Sequence, residues 1–468
     1  MAEHQQKNHR ERVMAIIDRE GVRFVNLEFT DIVGIVKCVT IPVEQFADCI
    51  TRGKWFDGSS LQGFARVAES DMYLFPDLST FALLPAVMRS SLQLAANHDV
   101  DGRANNDDVV ARVICEVRTP SGEAFDGDPR ATLVRALGVA REMGYTFCVA
   151  PELEFFLLRT EGDALKPLPH DRGGYFDLST DLAAIVRRQV VYALQQMGIR
   201  IEASHHEVAA GQHELDFETA DALHTADGLM TARYVIKEIA EEHDLYATFM
   251  PKPFYHINGS GLHIHQQLMS LEKNTNAFVD EQGEYGLSDI GRYFIAGQLA
   301  HARSMCALLA PLVNSYKRLV PGFEAPNFVN WGRINRQALV RVPRTDIHPQ
   351  SSSRIELRCA DPSCNPYLAL AVMLRAGLDG IQRKLSLPPA IDENLFIHHE
   401  DDERLLPRAR LLPVTLGEAL DDLREDILIR DAIGDFIYDS FLDAKSLEWS
   451  EYRRRVHAWE LERYLPIF

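Results

Sequence analysis

Three short stretches of the chain set two polar residues either side of one apolar residue: Glu152-Leu153-Glu154, His263-Ile264-His265 and Glu356-Leu357-Arg358. Side chains alternate faces along a strand, so each polar pair shares one face while Leu153, Ile264 and Leu357 enter the other. Three such strands predict one polar cleft backed by an apolar layer. Segments 22–29 and 35–41 read as a hairpin around Thr30-Asp31-Ile32-Val33-Gly34, and 109–117 as a further strand. Elsewhere the spacing is helical. It predicts a helix over 12–20 that stops at Gly21, after a loose polar start, and a short one over 43–52. Fuller signals open the next helix, with Asp128 as N-cap, Pro129 at the first position, Leu133, Leu137 and Ala140 on one face and Gly144 as the stop. Comparable helices are predicted over 180–197, 222–243, 288–309, 365–384, 416–424 and 445–464.

These patterns divide the chain into a small unit over 1–118 and a large mixed α/β unit over 119–468, an α+β fold class overall. The Asn-, Asp- and Gly-rich stretch 97–108 reads as a loop before the last strand of the small unit. A chain of 468 residues exceeds what a single core usually organises, which agrees with two units. With 46% hydrophobic and 25% charged residues it has the balance of a soluble globular protein. A formal net charge of −19 argues against nucleic acid or an anionic membrane as partner, since both need a basic surface. The first residues lack the apolar core of a signal peptide and no apolar run is long enough to cross a bilayer, so a cytoplasmic location is expected. Seven cysteines, an odd number without a CxxC pair, fit reduced thiols rather than a disulfide framework or a zinc site.

The candidate chemistry follows from burial. Phe147, Val149, Phe155 and Phe156 surround Glu152 and Glu154, and acids buried together need cations. The stretch 205–214 sets Glu207 and Glu214 either side of a glycine turn; it returns both carboxylates to the same site or forms a surface loop. A lone histidine on such a strand is more often a satisfied core residue than a ligand. His263 and His265, however, share one face and follow Asn258-Gly259-Ser260-Gly261. Five carboxylates and one histidine form an oxygen-dominated set suited to Mg²⁺ or Mn²⁺ with a nucleotide's phosphates. Positive charge gathers at 314–318 and at Arg336, Arg341, Arg354 and Arg358, where guanidinium forks suit phosphate and carboxylate oxygens. Neither GxxxxGK[ST] nor GxGxxG occurs, so a nucleotide would rest on metals and arginines.

Phe56-Asp57-Gly58-Ser59-Ser60, Glu152-Leu153-Glu154, Asn258-Gly-Ser-Gly-Leu-His263, Val320-Pro-Gly-Phe-Glu-Ala-Pro326 and Asn365-Pro-Tyr-Leu-Ala369 together resemble the glutamine synthetase family, in its type I branch, along nearly the whole chain. The resemblance implies a small N-terminal β-grasp domain, a large catalytic domain, and two stacked hexameric rings with active sites between neighbouring subunits. It implies an ATP-dependent ligase that joins L-glutamate to ammonium. It assigns Glu154, Glu207 and Glu214 to one metal and Glu152, His263 and Glu356 to a second. His265 and Arg341 fall to the nucleotide, Asn258, Gly259 and Arg318 to glutamate, and Arg336 and Arg358 to the phosphates and γ-carboxylate. Asp57, Ser60, Tyr175 and Glu207 match an ammonium pocket, and Glu324 a flap that keeps water from the acyl phosphate.

Some positions depart from the family. Phe396 replaces the tyrosine of the adenylylated form, so that covalent control is not expected. Arg66 is kept at a position linked to glutamine inhibition in one subgroup. Segment 85–110 is longer than usual, with Ala86 in place of a tryptophan, and His256 and Gln337 replace small residues beside active-site motifs. These changes leave open a relative that uses an organic amine (methylamine, ethanolamine, a polyamine, isopropylamine or aniline), with Phe254 or Trp55 as a guessed apolar wall. A ring-forming pseudoenzyme would be expected to lose a metal ligand, and a phosphagen-kinase-like phosphotransferase would need no flap.

Overall fold

A computed structural model describes residues 2–58, 71–88, 109–161, 164–343, 354–392 and 410–468. In the first unit the strands run in the order Val36–Pro42, Val22–Thr30, Val109–Arg118, Asp71–Pro76 and Lys54–Asp57, with Ala82–Leu83 also on Val109–Arg118. The predicted hairpin forms, pairing Leu27 with Val39, while Val22–Thr30 lies parallel to Val109–Arg118. Val25, Leu27, Phe46, Leu74 and Val113, all buried, make its core together with Val13 and Ile17 of the first helix. That helix extends from Ala2 to Glu20, so the loose start predicted from its polar residues is wrong. Gly21 ends it at φ +66° as expected.

The larger sheet is ordered Trp331–Gly332, Val340–Arg341, Ile355–Leu357, Leu262–Ser270, Tyr145–Glu161, Gln212–Phe217 and Ile201–His206. Helices Pro129–Glu142, Ala184–Gln196, Ala222–Glu241, Asp289–Ala300 and Pro366–Arg383 contribute to the core behind it. Asp128 caps the first of these through Arg130 N, with Pro129 next, as the sequence signals require. The helix expected over 288–309 is two, Asp289–Ala300 and Ala302–Leu309, broken at His301. The helix expected over 445–464 is also two, Asp435–Tyr452 and Ala458–Tyr464, and Ile427–Ile433 is a further helix that the spacing did not reveal.

Helices Asp289–Ala300 and Pro366–Arg383 cross at glycines. A Cβ on Gly297 would lie 2.1 Å from Ala376 O and one on Gly380 would lie 2.0 Å from Tyr293 O, so the crossing is backbone against backbone. The two units meet at polar contacts. Asn365 caps its helix through Tyr367 N and donates to Asp31 O at 3.1 Å and Ile32 O at 3.2 Å, which seats the hairpin tip on the large unit. Among the described residues no helix is long and apolar enough to cross a membrane.

Candidate active site

The strand Tyr145–Glu161 runs through the larger sheet, and cross-strand register sets the polar pairs in rows. Glu154 stands opposite Glu214, which stands opposite His205; Glu152 lies between Asp216 and His263; His265 faces Glu356, which faces Arg341. Leu153, Leu215, Ile264 and Leu357, each at most 1% exposed, fill the opposite face, as the period of two predicts.

The rows are bonded to one another. Glu152 accepts from His265 Nε2 at 2.7 Å and lies 3.1 Å from His263 Nδ1. Glu154 accepts from Gly261 N at 2.9 Å and Gln212 Nε2 at 2.8 Å. Glu356 accepts from Arg341 Nε at 2.5 Å and from Arg358 Nη1. Arg318, buried, donates to the carbonyls of Cys359, Ala360 and Arg358 at 3.1–3.3 Å. A Cβ on Gly261 would lie 2.4 Å from Arg318 Nη2 and 2.9 Å from His263 Nε2, so a larger residue there would displace both side chains.

Burial and crowding move the charges. Burial, then the Glu207 charge, raises Glu154 to about 8. Burial, then Glu154 and Glu152, pushes Glu214 well above the usual carboxylate range. Glu356 goes the other way, to about 2, because Arg358, the two histidines and Arg341 outweigh its burial. Burial and the Arg358 charge lower His263 to about 4, leaving a neutral imidazole available as a ligand. The cleft thus holds more carboxylate than its own cations neutralise on the Glu154 and Glu214 side, with hard oxygen donors. A divalent cation such as Mg²⁺ or Mn²⁺ fits that donor set.

A space of about 360 Å³ opens over these rows. Its wall includes Glu152, Glu154, Glu207, Glu214, His263, Asn258, Gly259, Arg318, Glu324, Arg336, Arg341, Arg358 and Tyr175 among the residues expected there. His265 and Glu356 lie beneath, bonded to Glu152 and to the arginines. Asp57, exposed, ends the edge strand Lys54–Asp57 of the first unit and is not part of this wall; Ser60, Arg66 and Phe396 fall outside the described residues. Neither Phe254 nor Trp55 lines this chain's cleft. Phe254 packs on Phe156 at 5.6 Å in a separate small cluster, and Trp55 is 51% exposed on the strand that carries Asp57.

Sequence reasoning missed several members. Gln212 and Asp216 sit two residues either side of Glu214, so the strand period alone could have found them. Asp171 had no such signal. It lies behind the cleft and accepts from Gly211 N at 2.9 Å and His206 Nε2 at 3.1 Å, while His206 Nδ1 donates to Glu207 O at 2.7 Å. That network fixes the turn between Glu207 and Glu214.

The family model for the glutamine synthetase β-grasp domain matches residues 21–120, and that for the glutamine synthetase catalytic domain matches 126–464. The chain belongs to the glutamine synthetase family. Family members resemble it along its length: a glutamine synthetase of Thermus thermophilus is 48% identical, with 97% of this chain and 98% of the relative covered. One of Thermotoga maritima is 45% identical, with coverages of 98% and 99%. Among solved structures a GmaS/ADP complex is 30% identical, with a TM-score of 0.81 over 97% of this chain and 99% of that one. Plasmodium falciparum glutamine synthetase shares the fold at a TM-score of 0.82 and 24% identity, covering 97% and 98%.

Proposed function

We propose that this chain is an ATP-dependent ligase that joins the γ-carboxyl of L-glutamate to ammonium through γ-glutamyl phosphate. The observation that carries this reading is the convergence, on one face of one sheet, of six carboxylate and imidazole donors with Arg318, Arg336, Arg341 and Arg358. The relatives named glutamine synthetase, at 45–48% identity, support ammonium as the amine.

Glu154, Glu207 and Glu214 would hold one Mg²⁺ or Mn²⁺ and Glu152, His263 and Glu356 a second, supplying charge neutralisation for the ATP phosphates and the carboxylate. The side chains account for the rest. Asn258, Gly259 and Arg318 hold glutamate with its γ-carboxylate towards the nucleotide, whose phosphates Arg341 and His265 meet. The carboxylate oxygen attacks the γ-phosphorus, its bond to ADP breaks, and Arg336 and Arg358 stabilise the charge spread over the transferring group. Ammonium then enters between Tyr175, Glu207 and, from an adjacent copy, Asp57 and Ser60. Asp57 takes its proton, the nitrogen attacks the acyl carbon and phosphate leaves. Glu324 closes over the intermediate, because water in that position would release glutamate and phosphate instead. The place of Asp57 on the edge strand Lys54–Asp57, away from its own chain's cleft, supports a site shared with an adjacent copy, as in the two stacked six-membered rings that the resemblance implies. The strand order of the first sheet, complete within 22–118, supports a boundary near residue 118.

Phosphate release dependent on ATP, glutamate and Mg²⁺, measured with ammonium, methylamine, ethanolamine, putrescine, isopropylamine and aniline together with product masses, tests the reading. Highest kcat/KM with ammonium is expected. A clear preference for an organic amine would make the chain a γ-glutamylamide synthetase, and no turnover with any amine would remove the ligase reading.

A further inference from the structure

Lys252 is only 6% exposed, and a lysine is seldom buried unless its charge is met. Among the described residues no carboxylate lies within ion-pair distance of it. Its ammonium instead touches two segments. Nζ donates to Ile257 O at 2.5 Å and lies 3.5 Å from the centre of the Phe323 ring. The Lys252 backbone is clamped both ways by Asn314, which accepts from its N at 2.8 Å and donates to its O at 3.1 Å. Burial, with Arg318 nearby, lowers its pKa to about 8, so the group still carries its charge at neutral pH.

The two segments are those that handle substrate. Ile257 precedes Asn258 and Gly259, and this turn lies directly on the lysine: Ser260 N donates to Pro251 O at 2.9 Å, and a Cβ on Gly259 would come 3.2 Å from Lys252 Cδ. Phe323 precedes Glu324, whose φ of +55° is a left-handed conformation that a side-chain-bearing residue keeps only where its surroundings hold it. A cation seated over the face of Phe323 is such a hold.

We propose that Lys252 is a positioning residue that ties the glutamate-binding turn to the flap, its ammonium fixing Phe323 so that Glu324 is presented to the cleft. The roles of turn and flap rest on the ligase reading above; the contact itself does not. A loose flap admits water to the acyl phosphate, so loss of the tether diverts ATP from amide formation into hydrolysis.

Lys252→Met keeps the apolar stem and removes the charge, Lys252→Arg keeps a cation, and Phe323→Leu removes the ring face. Amide hydrogen exchange over 320–326 in the ligand-free protein needs no turnover. It is expected to quicken about tenfold in Lys252→Met and in Phe323→Leu, and to stay near the parent in Lys252→Arg. The double variant Lys252→Met/Phe323→Leu is expected to be no faster than either single one. The ratio of phosphate released to amide formed rises in the same variants. Unchanged exchange in a folded Lys252→Met, or additive effects in the double variant, would overturn the tether. If Lys252→Met does not fold, Phe323→Leu against Lys252→Arg decides it. Absence of glutamate-dependent phosphate release in the parent would remove the ligase reading while leaving the exchange comparison valid.

Discussion

Glu154 and Glu214 stand directly opposite each other on adjacent antiparallel strands, both buried, and among the described residues neither is ion-paired to a lysine or arginine, only to a histidine 3.8 Å away. Like charges in that relation destabilise a sheet, and the raised pKa of each records the cost. Glu214→Gln is therefore expected to stabilise the metal-free protein, by about 1 kcal/mol, and to remove most of the rise in Tm on adding Mg²⁺ or Mn²⁺. Activity should fall by about 100-fold or more, since even groups that merely orient a ligand are worth 10–100-fold. Melting curves with and without the metal read both effects, and a variant destabilised without metal would contradict the account.

Arg130 joins the two units. It is 4% exposed and donates to both oxygens of Asp227 at 2.9 Å and to Asp77 Oδ2 at 2.7 Å, while Tyr367 OH donates to Asp227 at 2.7 Å. Arg130→Met leaves Asp227 buried without its cation, for which a loss of about 3–5 kcal/mol is expected. Asp227→Asn in the same chain should recover part of it. Chemical denaturation of the parent, the single variant and the double variant measures the difference.

The helix break at His301 carries a pH dependence. Its Nδ1 lies 2.7 Å from Asp426 Oδ2 and its Nε2 3.2 Å from Asp379 Oδ2, so both nitrogens donate and the ring is held as imidazolium. Burial lowers its pKa, but the two carboxylates outweigh burial and the net shift is upward. The folded state thus binds this proton more tightly than the unfolded chain. The contribution is complete below about pH 6.5 and is lost as pH rises through the folded-state value. His301→Gln should lower Tm more at about pH 6 than at about pH 9. An equal loss at both would remove His301 from the account.

The proposed sharing of sites between subunits makes a prediction about mixtures. Asp57→Ala and Arg358→Ala are each expected to abolish turnover, yet co-expressed subunits should regain activity wherever an intact Asp57 meets a cleft with an intact Arg358. Inactive mixed assemblies, shown by mass to contain both variants, would place Asp57 elsewhere.

The site was legible in sequence because it is built on strands. A period of two declares which residues share a face, and the rows through Glu152, Glu154, His263, His265 and Glu356 are that period made solid. A glycine turn and a charge cluster marked Glu207 and Arg318 as candidates, and the motif resemblance to glutamine synthetases then supplied their roles together with Glu324, which no periodicity marks. The failures have physical causes. Phe254 is an aromatic near the cleft in sequence, but nothing local says that it turns towards Phe156. At the break His301 pairs with two distant acids, Asp379 and Asp426, while helical spacing in the sequence continues through it. Lys252 and Asp171 act through carbonyls, a ring and backbone amides, partners that only the folded chain brings to them.

The crossing of Asp289–Ala300 with Pro366–Arg383 leaves no room for even one carbon beyond the backbone at Gly297 or Gly380. Two helices in such contact cannot slide without a clash, so the layer behind the sheet acts as a fixed wall. Rearrangement that accompanies a catalytic cycle is expected at the front, where the turns over the cleft are held by a few backbone hydrogen bonds and by side chains. The molecule therefore has a still back and a working face, and a substitution that loosens the crossing would blur the positions of all the donors at once.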